Sequence, residues 1–362
     1  MTISIILPDL RGGGAERVML DIAHEFARLG HEVELVLMQG VGDYLPEAQK
    51  NFTIVDLAIP RARSIFSPLA RYLRRRQPAV LIVAMWPLTA VVPIIARLSG
   101  YRGRILVTEH GILSKQYGDW GVLHNLILRL STFVGYRFAH CRVGVSQGVC
   151  LDMSNVACLK RDRIVTIYNP IRRAISPKSV DVKVANSIWR GKGPRILTVG
   201  NLKLVKNHPL LLRAFAALPL HEAQLMLLGQ GHNLAELQAL SVELGVSDRV
   251  IFAGFHPDPS SFYATADLFV LSSDREGFGN VIVEALSFGL PVVSTDCPSG
   301  PAEILQKGQF GRLVPVGNAS ALALAMTEAL EAPVDQNALI CRAEEFAPEI
   351  AAQKYLELLG LT

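Results

Sequence analysis

TISIILPDLRGGGAERVMLDIAHEFARLGHEVELVLM, residues 2–38, decides the fold. ISIILP is an apolar run of strand length, RGGGAER a glycine turn, RVMLDIAHEFARLG a segment with apolar residues at helical spacing, and EVELVLM a second strand. Gly30 stands just past the helix, where a left-handed residue ends it most easily. Strand, helix and strand in this order form a βαβ unit, which implies a parallel sheet with a right-handed crossover.

Working outward, the same alternation continues. Strands are expected at 54–57, 80–84, 105–108, 142–145 and 164–167, interleaved with helix-length segments such as 121–138. NPIRRAISPKS, 169–179, combines prolines and basic residues without periodicity, and the pattern restarts at RILTVG, 195–200. Beyond it, strands are expected at 224–228, 250–252, 268–271 and 291–295, and helices at 208–217, 233–244, 259–265 and 280–288. The expected fold is therefore α/β, with two doubly wound Rossmann-like domains facing each other across a cleft, at 1–173 and 174–344. The tail at 345–362 is expected to return to the first domain. Ligands of such sheets lie beyond the carboxyl ends of the strands.

Composition agrees with two cores: the chain has 362 residues, half of them hydrophobic and 19% charged. A net charge of +4 is small for a nucleic-acid binder, so no nucleic-acid partner is expected. The five cysteines, at 141, 150, 158, 297 and 341, contain no C-x-x-C pair, which argues for neither a disulfide framework nor a zinc cluster and fits a reducing cytoplasm. The first residues lack the basic start of a signal peptide. AVLIVAMWPLTAVVPIIA, 79–96, is long enough to suggest a membrane span, but two prolines split it into strand, turn at Trp86-Pro87, and helix.

Three stretches carry candidate chemistry. RGGGAER follows a strand and opens a helix, where backbone amides and the helix dipole favour an anion. It is not the nicotinamide fingerprint, because Arg17 stands where the third glycine belongs and the second strand runs to Gln39 rather than an acidic residue. In the bland reading it is only a tight connection. VGNLKLVKNH, 199–208, sets Lys203, Lys206 and His208 beyond a strand end, either as phosphate ligands or as solvated surface residues. SSDREGFGNVIVEALSFGLPVVST, 272–295, places Glu276 before a glycine turn and Glu284 in an apolar helix with Asn280 as its expected N-cap. A carboxylate among apolar neighbours requires a partner. A sugar diol suits Glu284; the alternative is a basic neighbour for Glu284 and an exposed Glu276. VTEHG, 107–111, adds Glu109 and His110 at another strand end. Asp-x-Asp and His-Glu-x-x-His are absent, which removes the metal-bound sugar-nucleotide and zinc-protease motifs.

Taken together, GGAER, TEHG, GVSQG (144–148), IYNP (167–170), VGNL…KN and E-G-F-G-N-x-x-x-E-A…G-x-P-V-V resemble the retaining family 4 glycosyltransferases of the GT-B fold, in order along almost the whole chain. The resemblance implies an acceptor-side first domain and a nucleotide-sugar-binding second domain. It implies that Gly13 and Gly14 approach the donor diphosphate, Lys206 neutralises it, Glu284 holds the ribose hydroxyls, and Glu276 contacts the transferred sugar. Gly277, Phe278, Gly279 and Asn280 would line the donor with their amides, and His110 would lie near the reacting centre. Where the family commonly has Arg, this chain has Asn201, so either Lys203 or a first-domain residue such as Arg17 supplies the missing charge, or diphosphate binding is weaker.

The implied activity is a metal-independent, hexosyltransferase-type transfer from a nucleotide diphosphate sugar, with no cofactor, to a hydroxyl of a glycan or lipid-linked acceptor in polysaccharide biosynthesis. A same-face substitution, in which the leaving phosphate helps remove the acceptor proton, is favoured. A nucleotide-sugar 2-epimerase and a non-catalytic nucleotide-sugar-binding subunit are the alternatives; nucleotide release with and without acceptor separates them. Residues 112–138 with RYLRRR, 71–76, form either a face for an anionic membrane, placing the protein at its cytoplasmic side, or a core-facing helix with a solvated basic rim.

Overall fold

The computed structural model describes residues 1–174 and 178–361. Residues 175–177 of the expected linker lie outside the described residues. The chain divides into two compact units, Met1–Ile171 with Ala347–Thr362, and Arg172–Phe346.

In the first unit the elements run β1 (Thr2–Leu7), α1 (Gly14–Arg28), β2 (Glu32–Leu37), α2 (Leu45–Asn51), β3 (Thr53–Asp56), α3 (Phe66–Arg76), β4 (Val80–Ala84), α4 (Leu88–Leu98), β5 (Arg104–Glu109), α5 (Leu113–Gln116), α6 (Val122–Phe138), β6 (Cys141–Gly144), α7 (Gln147–Ala157) and β7 (Val165–Thr166). All strands pair in parallel in the order β3-β2-β1-β4-β5-β6-β7. The order reverses between β1 and β4, and a crevice at such a switch point is where open α/β sheets bind ligands. The central strands are mostly apolar because helices cover both faces; Ile3, Ile5, Ile82 and Leu106 are fully buried, and Ser4 and Thr108 are buried polar exceptions.

The second unit runs α8 (Ser179–Ile188), β8 (Arg195–Val199), α9 (His208–Ala216), β9 (Gln224–Leu228), α10 (Leu234–Glu243), β10 (Val250–Gly254), α11 (Ser260–Tyr263), β11 (Leu268–Leu271), α12 (Asn280–Ser287), β12 (Val292–Thr295), α13 (Pro301–Ile304), β13 (Arg312–Val314), α14 (Ala319–Glu331) and α15 (Gln336–Glu344). Its parallel order, β10-β9-β8-β11-β12-β13, reverses between β8 and β11. The chain then returns to the first unit as α16 (Pro348–Leu359), whose Ala351, Ala352, Tyr355, Leu356 and Leu359 fall on one stripe and join the core with α1. Tyr355 and Thr108 share a hydrogen bond of 3.1 Å between their hydroxyls, tying α16 to β5.

Candidate active site

The C-terminal unit concentrates its functional side chains at its switch point. After β8 the chain turns through Asn201 and Lys203, both exposed, into a short 3-10 turn that ends at Lys206. Asn207 adopts a left-handed conformation, caps the Leu210 amide with its side chain at 3.2 Å, and donates to Asp274 at 2.7 Å. The Asp274 amide donates to the Val205 carbonyl at 2.9 Å, and the Ser272 hydroxyl to the Lys206 carbonyl at 2.8 Å. The loops after β8 and β11 are thus stitched together, which brings residues 70 positions apart into contact. Lys206 Nζ lies 2.7 Å from Glu276 Oε1, and Ser273 Oγ donates to the same oxygen at 2.6 Å. The Glu276 side chain is 11% exposed, so the expectation of a merely solvated carboxylate does not hold. Among the described residues no hydrogen bond falls on Oε2. The pair leaves one carboxylate oxygen for a hydroxyl ligand and two ammonium protons for an anion.

The turn behind Glu276 is fixed by its neighbour at 298–300. Glu276 N–H donates to the Pro298 carbonyl at 2.9 Å, and Ser299 N–H to the Glu276 carbonyl at 3.0 Å. A Cβ on Gly300 would lie 1.8 Å from the Phe278 carbonyl oxygen, and Gly300 has φ +104°; no other residue allows this approach. Phe278 is buried against Phe346, their ring centroids 5.5 Å apart. Asn280 is not the N-cap expected of it. That position belongs to Gly279, left-handed at φ 101°, and Asn280 opens α12. Gly277 and Asn280 are both partly exposed, and Gly279, like Phe278, is buried.

One and a half turns into α12, Glu284 sits between Val283 and Ala285, both buried, yet keeps part of its own surface open. It accepts a hydrogen bond from Tyr263 OH at 2.7 Å. Neither the diol nor the basic neighbour weighed from the sequence anticipated this phenol. Burial and the Glu284 charge hold its pKa well above the usual value, so it stays a donor.

In the N-terminal unit, Gly13 is the extended N-cap of α1 and carries no capping side chain, and Gly14 begins the helix. Arg17 corrects an expectation. Its guanidinium meets both Glu47 oxygens, at 2.7 and 2.9 Å, and Asp21 at 2.7 and 3.0 Å, so its charge is already balanced by two carboxylates. Lys203, whose N–H donates to the Asn201 carbonyl at 2.8 Å, is a cation within the same loop. His110 follows β5. The residue is half-buried, but both ring nitrogens are closed off from solvent without a hydrogen-bond partner of good geometry among the described residues. Burial lowers its pKa to about 4, against a smaller opposing effect of Asn169, so the ring is neutral at pH 7.

Two features that the sequence singled out take a definite form in the structure. Glu109 is fully buried, accepting bonds from Tyr136 OH at 2.7 Å, Trp86 N–H at 3.2 Å and the Thr89 hydroxyl. Burial pushes its pKa up to about 7. The second is α6, which is inside out. Its buried stripe, Leu128, Thr132, Gly135 and Tyr136, is mostly small or polar, with Gly135 set close against the Ala90 backbone of α4. Val122, Leu123, Leu126, Ile127, Leu130 and Phe133 are exposed. The core-facing reading of this helix is therefore excluded. Basic residues dominate this part of the chain: residues 57–150 hold thirteen Lys and Arg but only two acids, the buried Glu109 and the exposed Asp119, and α3, α4 and α6 hold none.

With this geometry in hand, the family follows. Residues 181–346 match the Glycosyl transferases group 1 family and residues 12–174 match Glycosyltransferase Family 4. The chain belongs to these families and is a glycosyltransferase of the GT-B fold. It is 29% identical to the N-acetylgalactosamine-N,N'-diacetylbacillosaminyl-diphospho-undecaprenol 4-alpha-N-acetylgalactosaminyltransferase of Campylobacter jejuni, over 91% of this chain and 90% of that one. It is 28% identical to the lipopolysaccharide core biosynthesis glycosyltransferase LpsE of Rhizobium meliloti, over 97% and 96%. Anabaena HepE, solved in complex with UDP and glucose, superposes with a TM-score of 0.87 at 21% identity over the full length of both chains.

Proposed function

We propose that the protein transfers a hexosyl group from a nucleotide diphosphate sugar to a hydroxyl of a lipid-linked or polysaccharide acceptor, with retention of anomeric configuration and without a metal ion. The observation that carries this reading is the Lys206–Glu276 pair at the switch point of the C-terminal sheet, with Glu284 on the helix that follows. Lys206, with Lys203 in support, balances the diphosphate; Gly277, Phe278, Gly279 and Asn280 line the donor; Asn201 offers a neutral phosphate contact. Glu276 Oε2 accepts a hydroxyl of the transferred sugar, and Glu284 holds the ribose. In the N-terminal unit the reading assigns the Gly13 and Gly14 amides to the diphosphate and the neutral His110 to the sugar. It gives no phosphate role to Arg17.

In the reaction the bond from the anomeric carbon to the diphosphate oxygen breaks through an oxocarbenium-like state, and the acceptor oxygen bonds on the same face. The acceptor proton passes to the departing phosphate oxygen. Lys206 stabilises the charge that develops there, the largest contribution a preorganised site makes. The Campylobacter relative, whose name specifies a diphospho-undecaprenol acceptor, supports a lipid-linked acceptor here. No helix among the described residues is long and apolar enough to cross a membrane. The acid-free helices α3, α4 and α6, with the outward apolar side chains of α6, suit the anionic cytoplasmic surface of one. A panel of nucleotide sugars, followed for nucleotide release with and without membrane extract, tests the reading. Release that requires extract supports it. Donor conversion without extract would indicate an epimerase, and binding without turnover a non-catalytic subunit.

A further inference from the structure

Tyr263 lies on α11, outside every motif that led to the site, and its ring is fully buried. It stacks on Phe288, with ring centroids 5.6 Å apart and planes 16° from parallel, and it touches Phe269 at 5.8 Å on the β11 side. Phe288 ends the helix that carries Glu284. The ring is thus clamped between the two elements that flank the site, and its hydroxyl has one placement, 2.7 Å from Glu284 Oε2. Phenylalanine fills such an apolar slot as well as tyrosine does, so the hydroxyl is the feature that needs a reason.

We infer that Tyr263 is a positioning residue for nucleotide recognition: its hydroxyl fixes the rotamer of Glu284 and thereby sets the discrimination between a ribose and a deoxyribose donor. The inference rests on the reading that Glu284 holds the ribose hydroxyls. A glutamate has three side-chain torsions to order when it binds a diol, and a carboxylate already held at one oxygen has lost most of that freedom before the ligand arrives. The Tyr263 phenol supplies this hold from the protein side, so the ligand does not.

The test measures, by calorimetry, affinity for whichever of UDP, GDP, ADP and CDP the wild-type protein binds most tightly, and for the 2′,3′-dideoxy form of that nucleotide. Wild type is expected to favour the ribose form. Tyr263→Phe keeps the stacked ring and is expected to weaken the ribonucleotide by about three- to tenfold, the cost of ordering a glutamate side chain that is no longer held, while leaving the dideoxy form unchanged. Glu284→Ala is expected to abolish the preference, and Tyr263→Phe to add nothing in the Glu284→Ala background. Equal weakening of both nucleotides by Tyr263→Phe, or no weakening, overturns the role of Tyr263 and leaves that of Glu284 standing. A ribose preference that survives Glu284→Ala, or no binding of any of the four nucleotides, overturns the underlying reading instead.

Discussion

Lys206 Nζ lies 2.7 Å from Glu276 Oε1, in a pair that joins the loop after β8 to the loop after β11 where the strand order of the C-terminal sheet reverses. Each charge keeps the other oriented while no ligand is bound. Lys206→Ala removes both the cation that faces the leaving group and the partner of a carboxylate only 11% exposed. Loss of kcat/KM is expected at about 10² to 10³-fold, the scale of one preorganised charge-stabilising contact. Steady-state kinetics on the donor found by the panel checks it.

Gly300→Ala is expected to abolish donor binding and to destabilise the C-terminal unit by about 2 kcal/mol or more, since the added Cβ has no room beside the Phe278 carbonyl and φ +104° suits only glycine. Thermal melting and nucleotide calorimetry measure the two effects. Wild-type melting with wild-type affinity would show that the turn at 277–280 does not depend on this approach.

Replacing Leu126 and Leu130 together with Glu should leave the fold intact, because exposed substitutions of this kind change stability by about 0.5 kcal/mol or less. The same change should release the protein from vesicles containing anionic lipid in a flotation assay, since it removes apolar area from α6 and brings negative charge to a helix that has none. Flotation equal to wild type would remove α6 from the membrane reading.

Stability should carry a signature of Glu109. Its pKa rises from 4.5 to about 7 on folding, so the folded state holds this proton more tightly than the unfolded chain. The resulting stabilisation is complete below pH 4.5 and is lost as pH rises through about 7. His110, whose ring nitrogens are closed off from solvent, works in the other sense: its pKa falls from 6.5 to about 4, so stability declines as pH drops through that window. Glu109→Gln isolates the first effect. The difference in melting temperature between wild type and Glu109→Gln should shift against wild type between pH 5 and pH 8, and a difference independent of pH would contradict it.

The parallel strands were legible because strands buried on both faces read as plain apolar runs, and those expected up to 291–295 appear within a residue or two of their places. β13 was not, being three residues, Arg312–Val314, without such a run. The glutamates announced themselves by type and spacing, but their partners did not. Lys206 meets Glu276, and Tyr263 meets Glu284, only through the sheet order that brings distant loops and helices together. Asn280 failed as a cap because the preceding glycine takes the left-handed turn itself. The sequence left the orientation of α6 open between two readings for a related reason: Thr132 and Gly135 form its buried stripe by allowing close approach to α4, while its larger apolar residues face outward.

The central claim is that Glu276 acts on the sugar that moves while the nucleotide is held elsewhere. Comparing Glu276→Ala with wild type, in nucleotide affinity by calorimetry and in kcat at saturating donor, tests it most directly. The account predicts nucleotide affinity within about threefold of wild type and kcat lower by about 10²-fold or more, the pattern of a contact made in the transition state. A kcat equal to that of wild type would contradict it.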